Sequence, residues 1–349
     1  MQLKSFLLIL LVYLTGMDAT AQSHVRLGAR ASVGSIIAHS SDLQAISQSK
    51  PYGISGSMQW MKTSRKNWEA CNCFHYLGLE AYYYNFNYPS VLGAASGIAG
   101  TFEPLIWKSE SWVVSLRTGI GFSYLGKVHD PVNNPSNIFF SSPLSFLLFV
   151  APAVEYQFSD DWSGSFSLNY NHISNGGQKQ PNKGMNFPML ELGIFRYLSR
   201  DELPRYEKIP VDSAWKFLTE AAFTTKNDGG MGRKPVLMLA TEVYRSLGAI
   251  NALGAGVDWT KDFSLHPSRS FRSAMTLAPF LSHHFTLGRI DFSQWMAYYL
   301  YKPKGQVDHT FYQRYILRYR LWDQFAAGIG LKAHGHVAEN IDFRLAWYW

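Results

Sequence analysis

The sequence predicts an all-β protein, an antiparallel transmembrane barrel of about fourteen to sixteen strands. Three observations predict it. Segments of nine to fourteen residues alternate between apolar and polar side chains, a period of two that only a strand converts into two faces. The chain is 15% aromatic and only 16% charged, with 28 glycines, which suits a wall facing lipid better than an ordinary secreted enzyme. Its last segment alternates too, Ile341, Phe343, Leu345, Trp347 and Trp349 against Asp342, Arg344, Ala346 and Tyr348, so that the chain finishes on an aromatic.

Residues 1–21 read as a secretory signal. Lys4 supplies its positive start, Phe6 to Leu14 its apolar core, and Ala19-Thr-Ala21 an A-x-A cleavage site. No later apolar run approaches the ~20 residues that a membrane helix needs; the longest, Phe146 to Val154, is interrupted by Pro152. Eight strands are expected before residue 200, near 24–36, 51–62, 74–87, 94–107, 111–126, 143–158, 162–174 and 187–199. Eight more follow near 214–225, 235–247, 250–260, 270–284, 288–302, 309–319, 322–333 and 338–349. The clearest is 111–126, where Trp112, Val114, Leu116, Thr118, Ile120, Phe122 and Tyr124 share one face opposite Ser115, Arg117, Gly119, Gly121 and Ser123. A soluble β-sandwich or ligand-binding barrel would also alternate, with its apolar face inward. The tyrosine runs 82–84 and 298–299 and the aromatic last residue favour the membrane barrel, whose girdles use such residues.

An even strand number places both ends of the chain in the periplasm, so strand seven runs outward and ends in the outer leaflet. The long connections 37–50, 127–142 and 175–186 then fall outside, whereas 63–73 and 200–213 are long turns on the periplasmic side. The charged stretch Ser199 to Ser213, with Pro204 and Pro210, marks a boundary. Beyond it, the extra strands are expected to complete one larger barrel, because a second closed barrel needs its own shear and register.

The outer end of strand seven carries the candidate chemistry. Trp162, Gly164, Phe166, Leu168 and Tyr170 alternate with polar residues, and His172 and Ser174 continue the apolar face. Residues two apart on a strand lie roughly 7 Å apart at the α-carbon, within reach for an imidazole to serve as general base to a hydroxyl. His-x-Ser also arises by chance where strands meet polar loops, and the two residues alone decide nothing.

The longer pattern is more specific. His172-Ile-Ser174-Asn175-Gly176, followed by Pro181-Asn182-x-Gly184-x-Asn186, resembles the active-site segment of the outer-membrane lipid A deacylase (PagL-like) and acyloxyacyl hydrolase family. The resemblance covers about the first 200 residues and is specific over 170–186. It implies an eight-stranded barrel with a Ser-His-acid esterase site on its outer wall. By position, it assigns Ser174 as nucleophile, His172 as base and Asn182 to the oxyanion. The third member departs from the pattern: where a glutamate is expected, this chain has Asn186, and a neutral amide can orient an imidazole, as in Cys-His-Asn proteases. Glu191 is the alternative, but parity puts it with Gly193 on the face opposite Leu190, Leu192 and Ile194, whereas Asn186 shares the leucine face.

Backbone N–H groups at Gly176 and Gly177 are expected to join Asn182 around the oxyanion. Lys179 and Lys183 in the same loop are expected to meet substrate phosphates, consistent with a formal charge of +7 on a protein whose polyanion is lipopolysaccharide rather than nucleic acid. No cofactor or metal and no obligate protein partner is expected. Cys71-x-Cys73 reads as a disulfide or two structural thiols, and His283-His284 and His334-Gly-His336 as solvated turns. The sequence therefore points to an outer-membrane esterase removing an ester-linked acyl chain from lipid A. The alternatives are a non-enzymatic channel or transporter, favoured by the strand count, and an outer-membrane phospholipase.

Overall fold

A computed structural model describes residues 23–227, 232–265, 274–303, 307–335 and 337–349. The expected signal, 1–21, lies outside them. The described residues form sixteen strands. The first eight are β1 (Ser23–Gly34), β2 (Tyr52–Lys62), β3 (His75–Asn85), β4 (Ala94–Lys108), β5 (Trp112–Leu125), β6 (Leu144–Gln157), β7 (Trp162–Ser174) and β8 (Met185–Ser199). The second eight are β9 (Trp215–Asn227), β10 (Arg233–Ser246), β11 (Asn251–Asp262), β12 (Met275–Leu287), β13 (Ile290–Tyr298), β14 (Phe311–Trp322), β15 (Phe325–His334) and β16 (Val337–Tyr348). Among the described residues no helix is long and apolar enough to cross a membrane; one short helix, α1 (Arg65–Glu69), sits in the β2–β3 turn.

The strands close twice. β1 pairs with β8, and β9 pairs with β16, so the chain forms two eight-stranded antiparallel barrels rather than the single enlarged barrel expected from the strand count. The reason lies inside. An eight-stranded barrel has an interior that side chains just fill, and the inward residues of each set of eight neutralise one another. In the first lumen Arg26 bonds Glu155 at 2.6 Å and Glu103 at 3.0 Å, Arg30 bonds Glu80 at 3.0 Å, and Arg117 bridges Glu80 and Glu191. In the second, Arg314 holds Asp342 at 2.6 Å and Asp258 at 3.0 Å, Arg318 holds Glu220 at 2.8 Å, and Arg344 joins Glu220 to Asp342. Charges this buried are tolerable only when paired. A wide sixteen-stranded lumen would separate and hydrate them; two narrow ones bring each Arg to its carboxylates.

Outside, the alternation meets lipid. Leu192 is 68% exposed while its neighbour Glu191 is 2% exposed, which fixes the face of every residue on β8. The connections at one end are the longer ones in the first barrel, and this is the outer end by the usual asymmetry of such barrels. There Leu43, Phe86, Phe139, Phe140, Ile173, Met185 and Phe187 pack into an aromatic-rich plug above the ion pairs. At the periplasmic end, the ring of Tyr206 in the 200–214 linker packs tilted against Trp68, and its hydroxyl donates to the Thr63 carbonyl at 3.0 Å.

Two minor expectations resolve here. Cys71 and Cys73 form a disulfide, with His75 Nδ1 3.4 Å from Cys71 Sγ. His284 does not lie in a solvated turn: it is a buried lumenal residue of β12, between Glu242 at 2.7 Å and Asp291 at 3.0 Å. Strand parity places it inward, next to the outward His283. His334 ends β15, and His336 lies outside the described residues.

Candidate active site

β7 delivers His172 and Ser174 to its outer end on the face away from the lumen. Asn171 and Asn169 point inward and are buried, whereas Tyr170 and Leu168, on the parity of His172, are exposed. Asn186 sits directly opposite His172 in the β7–β8 ladder, and Leu148 opposite it in the β6–β7 ladder. Directly opposed side chains on one face lie about 5 Å apart at the β-carbon, so the register alone brings an amide to the imidazole.

The resulting relay is linear. His172 Nε2 lies 3.1 Å from Ser174 Oγ, and His172 Nδ1 lies 2.7 Å from Asn186 Oδ1. The amide oxygen of Asn186 can only accept, so with this orientation Nδ1 carries the proton and Nε2 presents its lone pair to the serine hydroxyl. Glu191 is elsewhere. It is buried in the first lumen, bonded by Arg117, by Ser167 Oγ at 2.8 Å and by Asn169 Nδ2 at 2.8 Å.

The loop after β7 folds back over this relay. Gly184, at φ +66°, passes so close that a β-carbon there would lie 2.9 Å from His172 Cε1 and 3.2 Å from Ser174 Cβ. Only glycine allows both that conformation and that approach. Asn175 organises the rest: its side chain accepts from Gly177 N–H at 2.9 Å and donates to Ser141 Oγ at 3.0 Å and to the Lys179 carbonyl at 2.8 Å. Its own N–H donates to Asn182 Oδ1 at 3.2 Å. That leaves Asn182 Nδ2 buried without a partner among the described residues, a donor whose desolvation costs about 1–3 kcal/mol until something accepts from it.

The expected oxyanion set is thereby altered. Asn182 offers a free donor, and no described hydrogen bond engages Gly176 N–H, but Gly177 N–H is already committed to Asn175. Of the two lysines, Lys179 is exposed, whereas Lys183 Nζ pairs with Asp42 at 3.3 Å. Asp42, His39, whose Nε2 lies 3.2 Å from the Lys183 carbonyl, and Ser141 are neighbours that the local pattern did not announce. They arrive from the long outer connections 35–51 and 126–143, and no short-range spacing encodes such approaches.

Residues 52–195 match the family model for lipid A 3-O-deacylase (PagL). Residues 215–349 match that for the acyloxyacyl hydrolase C-terminal domain. No curated protein matches the sequence. Among solved structures, the chain is similar to the outer membrane enzyme PagL at 17% identity and a TM-score of 0.36, over 48% of this chain and 97% of that one. It also aligns with a variant of the Rh. blastica porin, at 9% identity and a TM-score of 0.22, over 94% of this chain and 100% of that one. A third alignment is to the siderophore receptor PirA from Acinetobacter baumannii, at 11% identity and a TM-score of 0.25, over 90% of this chain and 56% of that one. The two family regions fall one in each barrel, and the chain belongs to the outer-membrane lipid A deacylase (PagL) and acyloxyacyl hydrolase family.

Proposed function

We propose that the protein is a serine esterase of the outer membrane that removes an ester-linked acyl chain from lipid A, working from the lipid-facing wall of its first barrel. The observation that carries this reading is the relay Ser174–His172–Asn186, placed on the outward face at the outer end of β7. A lipid whose head group lies in the outer leaflet reaches that point without leaving the bilayer.

Ser174 Oγ attacks the ester carbonyl carbon as His172 Nε2 takes its proton. The carbonyl π electrons move onto oxygen, and the oxyanion accepts from Asn182 Nδ2, unpartnered in the free protein, and from Gly176 N–H. Collapse of the tetrahedral adduct breaks the bond to the sugar oxygen, which leaves with the proton from His172. Water then attacks the acyl-enzyme with the same imidazole as base, releasing the fatty acid and restoring Ser174. Asn186 Oδ1 holds the Nδ1–H throughout. Lys179 supplies a positive charge for a lipid phosphate, and Lys183 does so where a phosphate outcompetes Asp42.

The channel alternative lacks support, since both lumens are crossed by buried ion pairs and the first is also capped by its aromatic plug. Mass spectrometry of lipid A from cells making the wild-type protein, Ser174→Ala or His172→Ala tests the proposal. The wild type is expected to remove one acyl chain. Each variant is expected to leave lipid A intact while assembling normally in the membrane, because both side chains lie outside the lumenal ion pairs and the aromatic plug, and the pair is expected to behave as one unit. Deacylation at near-wild-type extent by either folded variant would overturn the assignment.

A further inference from the structure

We propose that the second barrel is a positioning element of the active site, its strand β16 holding the loop that presents Gly176 to the oxyanion. This rests on the esterase reading of Ser174. The contact is specific. Gly176 and Gly177 have φ of +66° and +80°, a left-handed backbone that disfavours side chains. A β-carbon on Gly176 would lie 2.3 Å from Ile341 Cδ1, and one on Gly177 would lie 2.8 Å from the Ala338 carbonyl oxygen and 3.0 Å from that of Glu339. The space beside the loop is filled by the other barrel.

β16 is shaped for this at its outer end. Its described ladder with β9 begins only at Phe343 opposite Phe223; above that point the Ile341 carbonyl accepts from the Thr224 hydroxyl. On the other edge the β15–β16 register shifts, Lys332 facing Asn340 but Ala333 facing Ala338, so that Glu339 is the extra residue of a bulge. By parity Glu339 would share the outward face of Ile341. The bulge turns it inward, where it binds Lys226 and, at 3.0 Å, Lys332. Ile341 keeps its outward direction but differs from Phe343, Leu345 and Trp347 below it: those three are exposed on the lipid face, whereas Ile341 is partly covered. The segment from Ala338 to Ile341 is thus anchored from within the second lumen and abuts the loop from outside.

An oxyanion donor helps only if it is held where the charge develops; Asn175 ties the loop at Gly177 N–H and at the Lys179 carbonyl, and β16 packs against Gly176 itself. The test uses the full-length protein in mixed micelles with lipid A. Ile341→Ala is expected to lower kcat about tenfold with KM changed less than about twofold, because the interaction lost is made in the transition state. It is also expected to speed hydrogen exchange of the peptide covering 175–180. Ile341→Val is expected to restore both, and Phe343→Ala, one step down the same face, to change neither. Unchanged exchange in Ile341→Ala would overturn the docking. Faster exchange with unchanged kcat, when Ser174→Ala is inactive, would overturn the positioning role. Wild-type turnover by Ser174→Ala would instead sink the esterase reading, and the exchange data would still judge the docking alone.

Discussion

The partner of the imidazole is the most exposed part of the mechanism to experiment, because two residues five apart compete for the role and sit on opposite faces of β8. Asn186→Ala removes a 2.7 Å bond to His172 Nδ1. That bond is charge-assisted in the transition state, when the ring is an imidazolium, and such bonds are worth about 1.5–3 kcal/mol. At ~1.36 kcal/mol per decade, turnover is expected to fall about ten- to a hundredfold. Glu191→Ala leaves Arg117 with Glu80 alone and strips Asn169 Nδ2 of its partner. Breaking a buried pair costs about 3–5 kcal/mol of stability, so this variant is expected to unfold at lower temperature on heat-modifiability gels while the folded fraction keeps its turnover. Asn186→Asp is expected to keep or raise activity, since a carboxylate stabilises the imidazolium better than an amide, provided that it ionises at the lipid boundary. Fatty-acid release per folded protein, with unfolding followed in parallel, separates these outcomes. A folded Glu191→Ala protein without activity beside a nearly normal Asn186→Ala would refute the reasoning and shift the register of β8 by one residue.

Two further predictions concern the surroundings of Ser174. Asn182→Ala is expected to lower kcat by about a hundredfold or more, the usual effect of losing one oxyanion donor. Its unfolding temperature should hardly move, since removing a buried amide NH2 that has no partner among the described residues offsets the lost bond to Asn175 N–H; a large fall in stability with unaltered kcat would make Asn182 a structural clamp only. Activity is expected to survive chelation of divalent ions, because the groups described around Ser174 are His172, Asn182, Asn186 and glycine backbone, and Asp42 is paired with Lys183. Inactivation by a chelator, reversed by adding back calcium, would point to an ion at the oxyanion instead.

Much of the fold was legible because a strand's period of two leaves little freedom. Once 112–125 is read as alternating, Ser115, Arg117 and Ser123 must share one face and Ile120, Phe122 and Tyr124 the other, and the structure buries the first set and exposes the second. Closure was another matter. Pairing β1 with β8 rather than with β16 leaves each strand's own pattern unaltered; what separates the two topologies is which inward charges meet. Arg26 on β1 finds Glu103 on β4 and Glu155 on β6 only if eight strands suffice to close the wall. The sequence carries that signal as complementary Arg and Glu on inward positions within each half, divided by the charged linker, and periodicity alone does not see it.

The same division runs through the candidate site. Asn186 faces His172 because both obey strand parity and register, and parity likewise consigns Glu191 to the lumen. The loop has no such rule. Whether Gly177 N–H is free depends on where the Asn175 side chain turns, and whether Lys183 is free depends on Asp42, some 140 positions earlier in the chain. Gly176 is the extreme case. Its neighbour Ile341 lies in the other barrel, and the pattern of β16 marks that residue only as one more outward apolar side chain. A family pattern confined to 170–186 therefore names the candidate reacting groups, while the packing against their loop comes from the far end of the chain. On the esterase reading proposed above, a substitution in the second barrel is therefore expected to reach the chemistry without touching the substrate: displacing Ile341 removes packing from the loop that carries the proposed oxyanion donor, Gly176 N–H.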